Sequence, residues 1–168
     1  LGSLHSSSTG PNDDAATPEV RDLNERRLSS RRTMKNTPVT PLITQRFGVE
    51  GLVDRVSGMD FYFPGFHAGL GDTTYAGDHP RAGETIAASR VWHAVTPGKR
   101  NTTNYFFAMG SKDREGVEAM VELLKPVIDE DVFATEQIER IVSTLDEVPQ
   151  ELLLRSDQTA VMGRRRLQ

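Results

Sequence analysis

The sequence contains no cysteine among its 168 residues. This absence excludes disulfides, thiolate zinc sites and cysteine-ligated iron–sulfur clusters within the chain. Net positive charge is also lacking, because 24 acidic residues outnumber 20 basic ones and the formal net charge is −4. A chain without a net basic field is poorly suited to neutralise phosphates, so we expect no nucleic-acid partner.

Long apolar runs are missing as well. No segment approaches the ~20 apolar residues that cross a bilayer, and nothing has the pattern of a signal peptide, which favours a cytoplasmic protein with no membrane partner. The motifs G-x-G-x-x-G, P-loop and G-x-S-x-G are absent too. The length is that of one ordinary domain. Because the chain opens at Leu1 without a methionine, we expect a piece of a longer protein.

The most informative feature that is present is a helical pattern from Val127 to Leu145. At 100° per residue, Asp131 falls in the middle of an apolar stripe, whereas Asp129 points away. The stripe consists of Leu124, Ile138, Val142 and Leu145. We predict helix over residues 113–145, interrupted at Pro126, with Asp131 facing the core.

A carboxylate that faces a core is costly unless it is paired or bound to a cation. One explanation is structural: Pro126 restarts the helix, Asp129 caps it, and Asp131 is a first-turn acid or part of a buried ion pair. The other explanation is a metal ligand or a catalytic group. The pattern by itself leaves both open.

The clearest β signal is a hairpin of residues 84–95 and 100–109 around T-P-G-K, a sequence typical of a type II turn. Closing this turn pairs Val95 with Arg100. One face then mixes apolar and hydrogen-bonding side chains, namely Val91, His93, Asn104 and Phe106, and the other face carries Trp92, Tyr105 and Phe107. A mixed face suits a ligand cavity, but pairing of His93 with Asn104 or with backbone explains it equally well.

The remaining segments carry weaker signals. The polar stretch from Pro11 to Lys35 is interpreted as a surface loop, and residues 69–83, rich in glycine, as another. His67 and His79 are accordingly interpreted as loop histidines near the surface. His5, considered alone, is interpreted as a structural histidine.

Three motifs, taken together and in this order, resemble one family. They are L-G-S-L-H-S-S-S-T-G, then V-W-H-A-V-T-P-G with T-T-N-Y-F-F, then D-E-D-V-F-A-T-E-Q-I-E. The chain resembles Rieske non-heme iron oxygenases of the branch that includes vanillate O-demethylase and dicamba monooxygenase. In that comparison, His5 is the second histidine of D-x-x-H-x-x-x-x-H and Asp131 is the aspartate of E-D-x-x-x-x-E. Two positions depart from the usual form: Asn104 replaces a histidine and Gly98 replaces an acid.

The resemblance implies an α+β fold of the helix-grip (START-like) type, a curved antiparallel sheet packed on a long C-terminal helix. It implies that residues 1–168 are a C-terminal catalytic domain, truncated at its N-terminal side, and that a Rieske [2Fe–2S] domain lies outside this chain. His5 and Asp131 would be catalytic ligands of a mononuclear Fe(II), with a further histidine upstream. His93 would contact the substrate, and we assign Asn104, with Val91 and Phe106 on the same predicted face, to the pocket.

The implied activity is that of an oxygenase component that activates O2 to demethylate or hydroxylate an aromatic substrate. Electrons would come from NAD(P)H through a reductase or ferredoxin and the Rieske cluster, in a homotrimer. The alternative is a metal-free helix-grip module that binds a small molecule, in which Asp131 pairs with an arginine or lysine. A histidine five residues before His5 would separate the two.

Overall fold

A computed structural model describes residues 17–99, 102–112, 114–147, 149–154 and 157–168. Its centre is one six-stranded sheet in which the spatial order of the strands is their order in the chain. The strands are β1 (Glu19–Asn24), β2 (Arg27–Pro38), β3 (Leu52–Tyr62), β4 (Phe66–Tyr75), β5 (Thr85–Pro97) and β6 (Thr103–Ser111). All neighbouring strands are antiparallel. The sheet is therefore a meander, in which each strand is joined directly to its neighbour and one of these connections contains a short helix.

In the described residues, three helices accompany the sheet: α1 (Pro41–Phe47), α2 (Arg114–Val142) and α3 (Gln158–Leu167). The long helix α2 packs against β6, and α3 packs against β2 near the opposite edge of the sheet. The predicted α+β helix-grip architecture is confirmed by this curved antiparallel sheet and its long helix. In the described part of the chain, no helix is long and apolar enough to span a membrane.

The two faces of the sheet differ in what covers them. We call the face that carries His67 and His93 the inner face, because α1 and α2 lie over it and enclose a cavity there. A cross-strand row on this face runs from β2 to β6 through Leu28, Phe61, His67, His93 and Phe107. Leu28 is fully buried. Its burial anchors one end of this row.

The outer face, opposite to this one, carries charged pairs and exposed aromatic rings. The carboxylate of Asp60 accepts hydrogen bonds from Arg27 and Arg31, each at 2.7 Å. Burial acts to raise the pKa of Asp60, but hydrogen bonds from Arg27, Ser29 and Arg31 outweigh it, so that this pKa lies below its ordinary value. Trp92 is partly exposed on the same face. The cluster of Asp60 with Arg27 and Arg31 therefore joins β2 to β3 on a face whose apolar side chains are only partly buried.

The prediction of loops over residues 11–35 and 69–83 is wrong for most of the described residues, which form β1, β2 and β4. The glycines of β4 are typical of a loop in sequence, yet they lie within a strand. A Cβ on Gly69 would lie 2.5 Å from Cγ2 of Val91, and one on Gly71 would lie 2.9 Å from Oγ of Ser89. These glycines therefore allow two strands to approach with bulky partners, which is a role of glycine within sheets and not only in loops.

Helix α2 also differs from the prediction, because its 29 residues run through Pro126 without a break. Asp129 is consequently an interior residue of the helix, and neither it nor Asp131 belongs to a first turn. The capping explanation for Asp131 is thus wrong. The explanations that involve a charged partner or a metal are unaffected.

Candidate active site

The β5–β6 hairpin has a different register from the predicted one. Val95 pairs with Tyr105, and Pro97 pairs with Thr103, so that Arg100 is not the partner of Val95. The connection is longer than a two-residue turn, because the amide of Gly98 donates to the carbonyl of Thr102 at 2.9 Å. The partner of Val95 therefore moves by five positions. A shift by an odd number exchanges the two faces of a strand.

This exchange changes which side chains share the inner face. Tyr105 and Phe107 join Val91 and His93 there, whereas Asn104 and Phe106 lie on the outer face. Nδ2 of Asn104 donates to Oγ1 of Thr96 at 3.5 Å, and Phe106 is 61% exposed. The predicted grouping is correct for Val91 with His93 and wrong for Asn104 and Phe106. Asn104 and Phe106 therefore do not share the face of His93, which was the geometric reason for assigning them to the pocket.

A pair of imidazoles forms the centre of the inner face. His67 on β4 is the direct cross-strand partner of His93 on β5. Each ring has an aromatic edge contact, to Phe61 at 4.9 Å between centroids for His67 and to Phe107 at 5.0 Å for His93. Burial lowers the pKa of His67. Burial and the facing His67 lower the pKa of His93, while the charge of Asp131 acts in the opposite direction. Both imidazoles are consequently neutral near pH 7.

The sequence analysis missed His67, which it placed in a loop. A signal was available: folding the chain back at Pro64–Gly65 pairs Tyr62 with Phe66, and continued pairing brings Phe61 opposite His67. That pairing requires β4 to be a strand. The glycines of β4 concealed it.

Tyr105 is the second residue that the sequence analysis missed. Its phenolic oxygen lies 2.5 Å from Nδ1 of His93, and the two rings are stacked with 5.9 Å between centroids. Burial, and then the nearby charge of Asp131, raise the pKa of Tyr105. Tyr105 was assigned to the opposite face because of the incorrect hairpin register. A correct register would have placed it beside His93.

Asp131 lies on α2 on the side of these residues. Leu124, two turns earlier on α2, lines the cavity over the inner face, and Asp131 lies about 20° from it around the helix. The charge of Asp131 acts to raise the pKa of both His93 and Tyr105. Its surroundings, however, are not the predicted core. Asp131 is exposed, as are Ile138 and Ile141, which are 62% and 60% exposed. The predicted direction of the carboxylate is consistent with the structure, whereas its predicted burial is wrong for the described residues.

A metal centre is only partly represented by the described residues. Among them, no group of three or more His, Cys, Asp or Glu side chains is arranged to hold a metal ion. His5 lies outside the described residues. The carboxylate of Asp131 is nevertheless a donor of the kind that Fe(II) takes alongside two imidazole ligands. The residues present therefore fit one side of an iron site.

A cavity of about 280 Å³ lies between the inner face and the helices. Small side chains of the sheet form its floor, including Ser57, Gly71, Ala87 and Ser89, and apolar side chains of the helices cover it, including Leu42 and Leu124. Val91 belongs to its wall. His93 is the next inner-face residue along β5, roughly 7 Å further on. The cavity and the imidazole pair are thus neighbouring parts of one enclosed face, as is usual for a binding site that is mainly apolar with a few polar groups.

Comparison with solved structures identifies the same fold in dicamba monooxygenase. The structure bound to 3,6-dichlorosalicylic acid has a TM-score of 0.75 at 19% identity, and the match covers 98% of this chain and 49% of that one. The apo structure has a TM-score of 0.72 at 17% identity, covering 89% and 48%. The structure bound to dicamba has a TM-score of 0.68 at 18% identity, covering 88% and 46%. The chain spans about half the length of these proteins.

No curated protein matches the sequence closely enough to count as a relative. The family comparison, in contrast, covers almost the whole chain, because residues 3–168 match the family described as vanillate O-demethylase oxygenase C-terminal domain. This family assignment agrees with the three motifs of the sequence and with the sheet and long helix of the structure. The chain belongs to the vanillate O-demethylase oxygenase C-terminal domain family, and it has the catalytic-domain fold of Rieske oxygenases.

Proposed function

We propose that this chain is the part of an oxygenase that holds a mononuclear Fe(II) and an aromatic substrate, and that Asp131 and His5 are two of the iron ligands. The observation that carries the proposal is the position of Asp131. It lies on the same face of α2 as Leu124, which covers a cavity of about 280 Å³, and its charge acts on the pKa of His93 and Tyr105 on the inner face. A bound Fe(II) with one carboxylate and two imidazole ligands supplies open positions for O2 activation.

The cavity has the character that an aromatic substrate needs. Small residues make up most of its floor, beside the charged Arg55 and Asp72, and its cover is largely apolar, so that a flat ring can displace water from it. Val91 contacts the ring in this proposal, and His93 provides a hydrogen bond to a polar substituent. Because Nδ1 of His93 is engaged with the hydroxyl of Tyr105, Nε2 is the ring nitrogen that is available for this hydrogen bond.

The remaining partners follow from the family. In this proposal, electrons come from NAD(P)H through a reductase or ferredoxin and a Rieske [2Fe–2S] cluster on a domain outside these residues, and the oxygenase is a cytoplasmic homotrimer. The reaction is demethylation or hydroxylation of the aromatic substrate. Both reactions use the same iron site, so the residues described above serve either one.

The test is the iron content of the full-length protein with and without Asp131. We expect about one mononuclear iron per subunit beyond the cluster, lost in Asp131→Ala while circular dichroism shows an intact fold. Asp129→Ala is the matched control, because Asp129 lies two residues away, about 200° around α2, where it lines a separate groove against β6. It should keep its iron.

Iron that persists in Asp131→Ala would contradict the assignment of this ligand. A full-length protein without any mononuclear iron would contradict the oxygenase proposal itself. The same cavity would then favour a metal-free helix-grip carrier, in which Asp131 is paired with a basic side chain.

A further inference from the structure

The ring of His93 is held on several sides. Tyr105 lies at Nδ1, with its oxygen 2.5 Å away. Phe107, directly across the ladder on β6, contacts the ring edge at 5.0 Å between centroids. His67 faces it from β4. A ring with these neighbours has one nitrogen committed to Tyr105, and only Nε2 remains for an interaction with a ligand.

The direction of the hydrogen bond between Tyr105 and His93 decides what Nε2 can do. A phenol is a better donor than a neutral imidazole N–H, and an imidazole nitrogen is a better acceptor than a phenolic oxygen. The favoured arrangement is therefore O–H of Tyr105 donating to Nδ1. The single hydrogen of the neutral imidazole must then reside on Nε2.

We propose that Tyr105 is a positioning residue that donates its phenolic hydrogen to Nδ1 of His93 and thereby holds this imidazole as the Nε2–H tautomer. His93 then presents a hydrogen-bond donor, and it selects ligands with an acceptor oxygen, such as a carboxylate, phenolate or carbonyl, over ligands with an N–H donor. The selection rests on the proposed function, in which His93 contacts the substrate, whereas the tautomer depends only on the pair itself.

The tautomer can be observed directly by nitrogen NMR on the full-length protein, labelled at histidine and depleted of iron. The signals of His93 are assigned by their loss in His93→Gln. We expect the hydrogen on Nε2 in the unmodified protein and a mixture of both tautomers in Tyr105→Phe. Tyr62→Phe is the matched control, since Tyr62 lies on the outer face near Phe66 and should leave the tautomer unchanged.

Ligand selection is measured on the same variants with benzoate as the acceptor probe and aniline as the donor probe. Tyr105→Phe should reduce the preference for benzoate about tenfold, the equivalent of one hydrogen bond. An unchanged preference would overturn the selective role. Hydrogen on Nδ1 in the unmodified protein, or an unchanged tautomer in Tyr105→Phe, would overturn the positioning role. Neither readout needs iron, and His93→Gln is needed only to assign the signals, so failure here is distinct from failure of the iron site.

Discussion

His67 and His93 stand directly opposite each other on β4 and β5, on the face of the sheet that α2 and α1 cover. Each is flanked by a phenylalanine edge, and burial lowers the pKa of both. Two neutral imidazoles side by side can hydrogen-bond one ligand without the cost of a buried charge. With Tyr105 and Asp131 they form the polar part of the inner face.

Removal of either imidazole should weaken substrate binding without loss of iron. We expect His93→Gln and His67→Gln each to reduce affinity for an aromatic substrate about tenfold, the equivalent of one hydrogen bond, when measured by calorimetric titration. Asn104→Ala is the control, because Asn104 lies on the outer face. Equal loss of iron in His93→Gln would contradict its role as a substrate contact, and equal weakening in Asn104→Ala would contradict the observed faces.

The imidazole pair should make stability depend on pH in a defined direction. Because the pKa of His67 and of His93 is lower in the folded state, the unfolded chain binds more protons once the pH falls below about 6.5. The stabilising effect is thus fully present above that pH and is lost as the pH falls through the folded pKa. The groups that face them are each other, Tyr105 and Asp131, and only the charge of Asp131 opposes the shift in His93.

Denaturant midpoints at pH 8 and at pH 5.5 test this dependence. The loss of stability on acidification should be smaller in His67→Gln than in the unmodified protein. His79→Gln serves as the control, because its imidazole accepts a backbone hydrogen bond from Arg81 in an exposed turn. An identical loss in all three proteins would contradict the prediction.

Asp60 should be an important ionic contributor to stability. Its carboxylate is largely buried and accepts from Arg27 and Arg31, so Asp60→Asn should lower the free energy of unfolding by about 2 kcal/mol. Because the pKa of Asp60 is lowered in the fold, its contribution is present above the unfolded value near 3.9 and disappears as the pH falls through the folded value.

Urea unfolding at pH 7 and at pH 3 provides the measurement. Asp72→Asn is a matched control, since its pair with Arg90 is more exposed and should contribute less than about 1 kcal/mol. A penalty for Asp60→Asn that is no larger than for Asp72→Asn would count against the buried cluster.

Pro126 should be a weak point of α2. It lies inside a continuous helix of 29 residues, where proline removes a backbone donor and crowds the preceding turn. We expect Pro126→Ala to raise the free energy of unfolding by about 1–2 kcal/mol, with Lys125→Ala as the control for a neighbouring exposed position. A decrease in thermal stability would instead mean that the proline maintains a shape of α2 that the site requires.

How much of the site could be read from the sequence depended on the kind of signal. The 100° periodicity placed Asp131 on the same face of α2 as Leu124, which lines the cavity, because helix geometry is local, but the core predicted around Asp131 is exposed. The alternation along β5 correctly placed Val91 with His93 for the same reason. The partners of β5 were a different matter. The assumed two-residue turn shifted the register of β6 by five residues. It therefore placed Asn104 and Phe106, instead of Tyr105 and Phe107, on the face of His93. The hydrogen bond between Tyr105 and Nδ1 of His93 could not be predicted from that register.

The sequence by itself determined the α+β class, the family and the aspartate on the long helix, because local periodicity and short motifs carry that information. Only the tertiary structure decided that β4 is a strand, that His67 faces His93, and that Tyr105 lies beside it. The physical reason is that register depends on contacts between strands. Gly69 is a loop signal when read alone and a site of close strand approach once Val91 is packed against it.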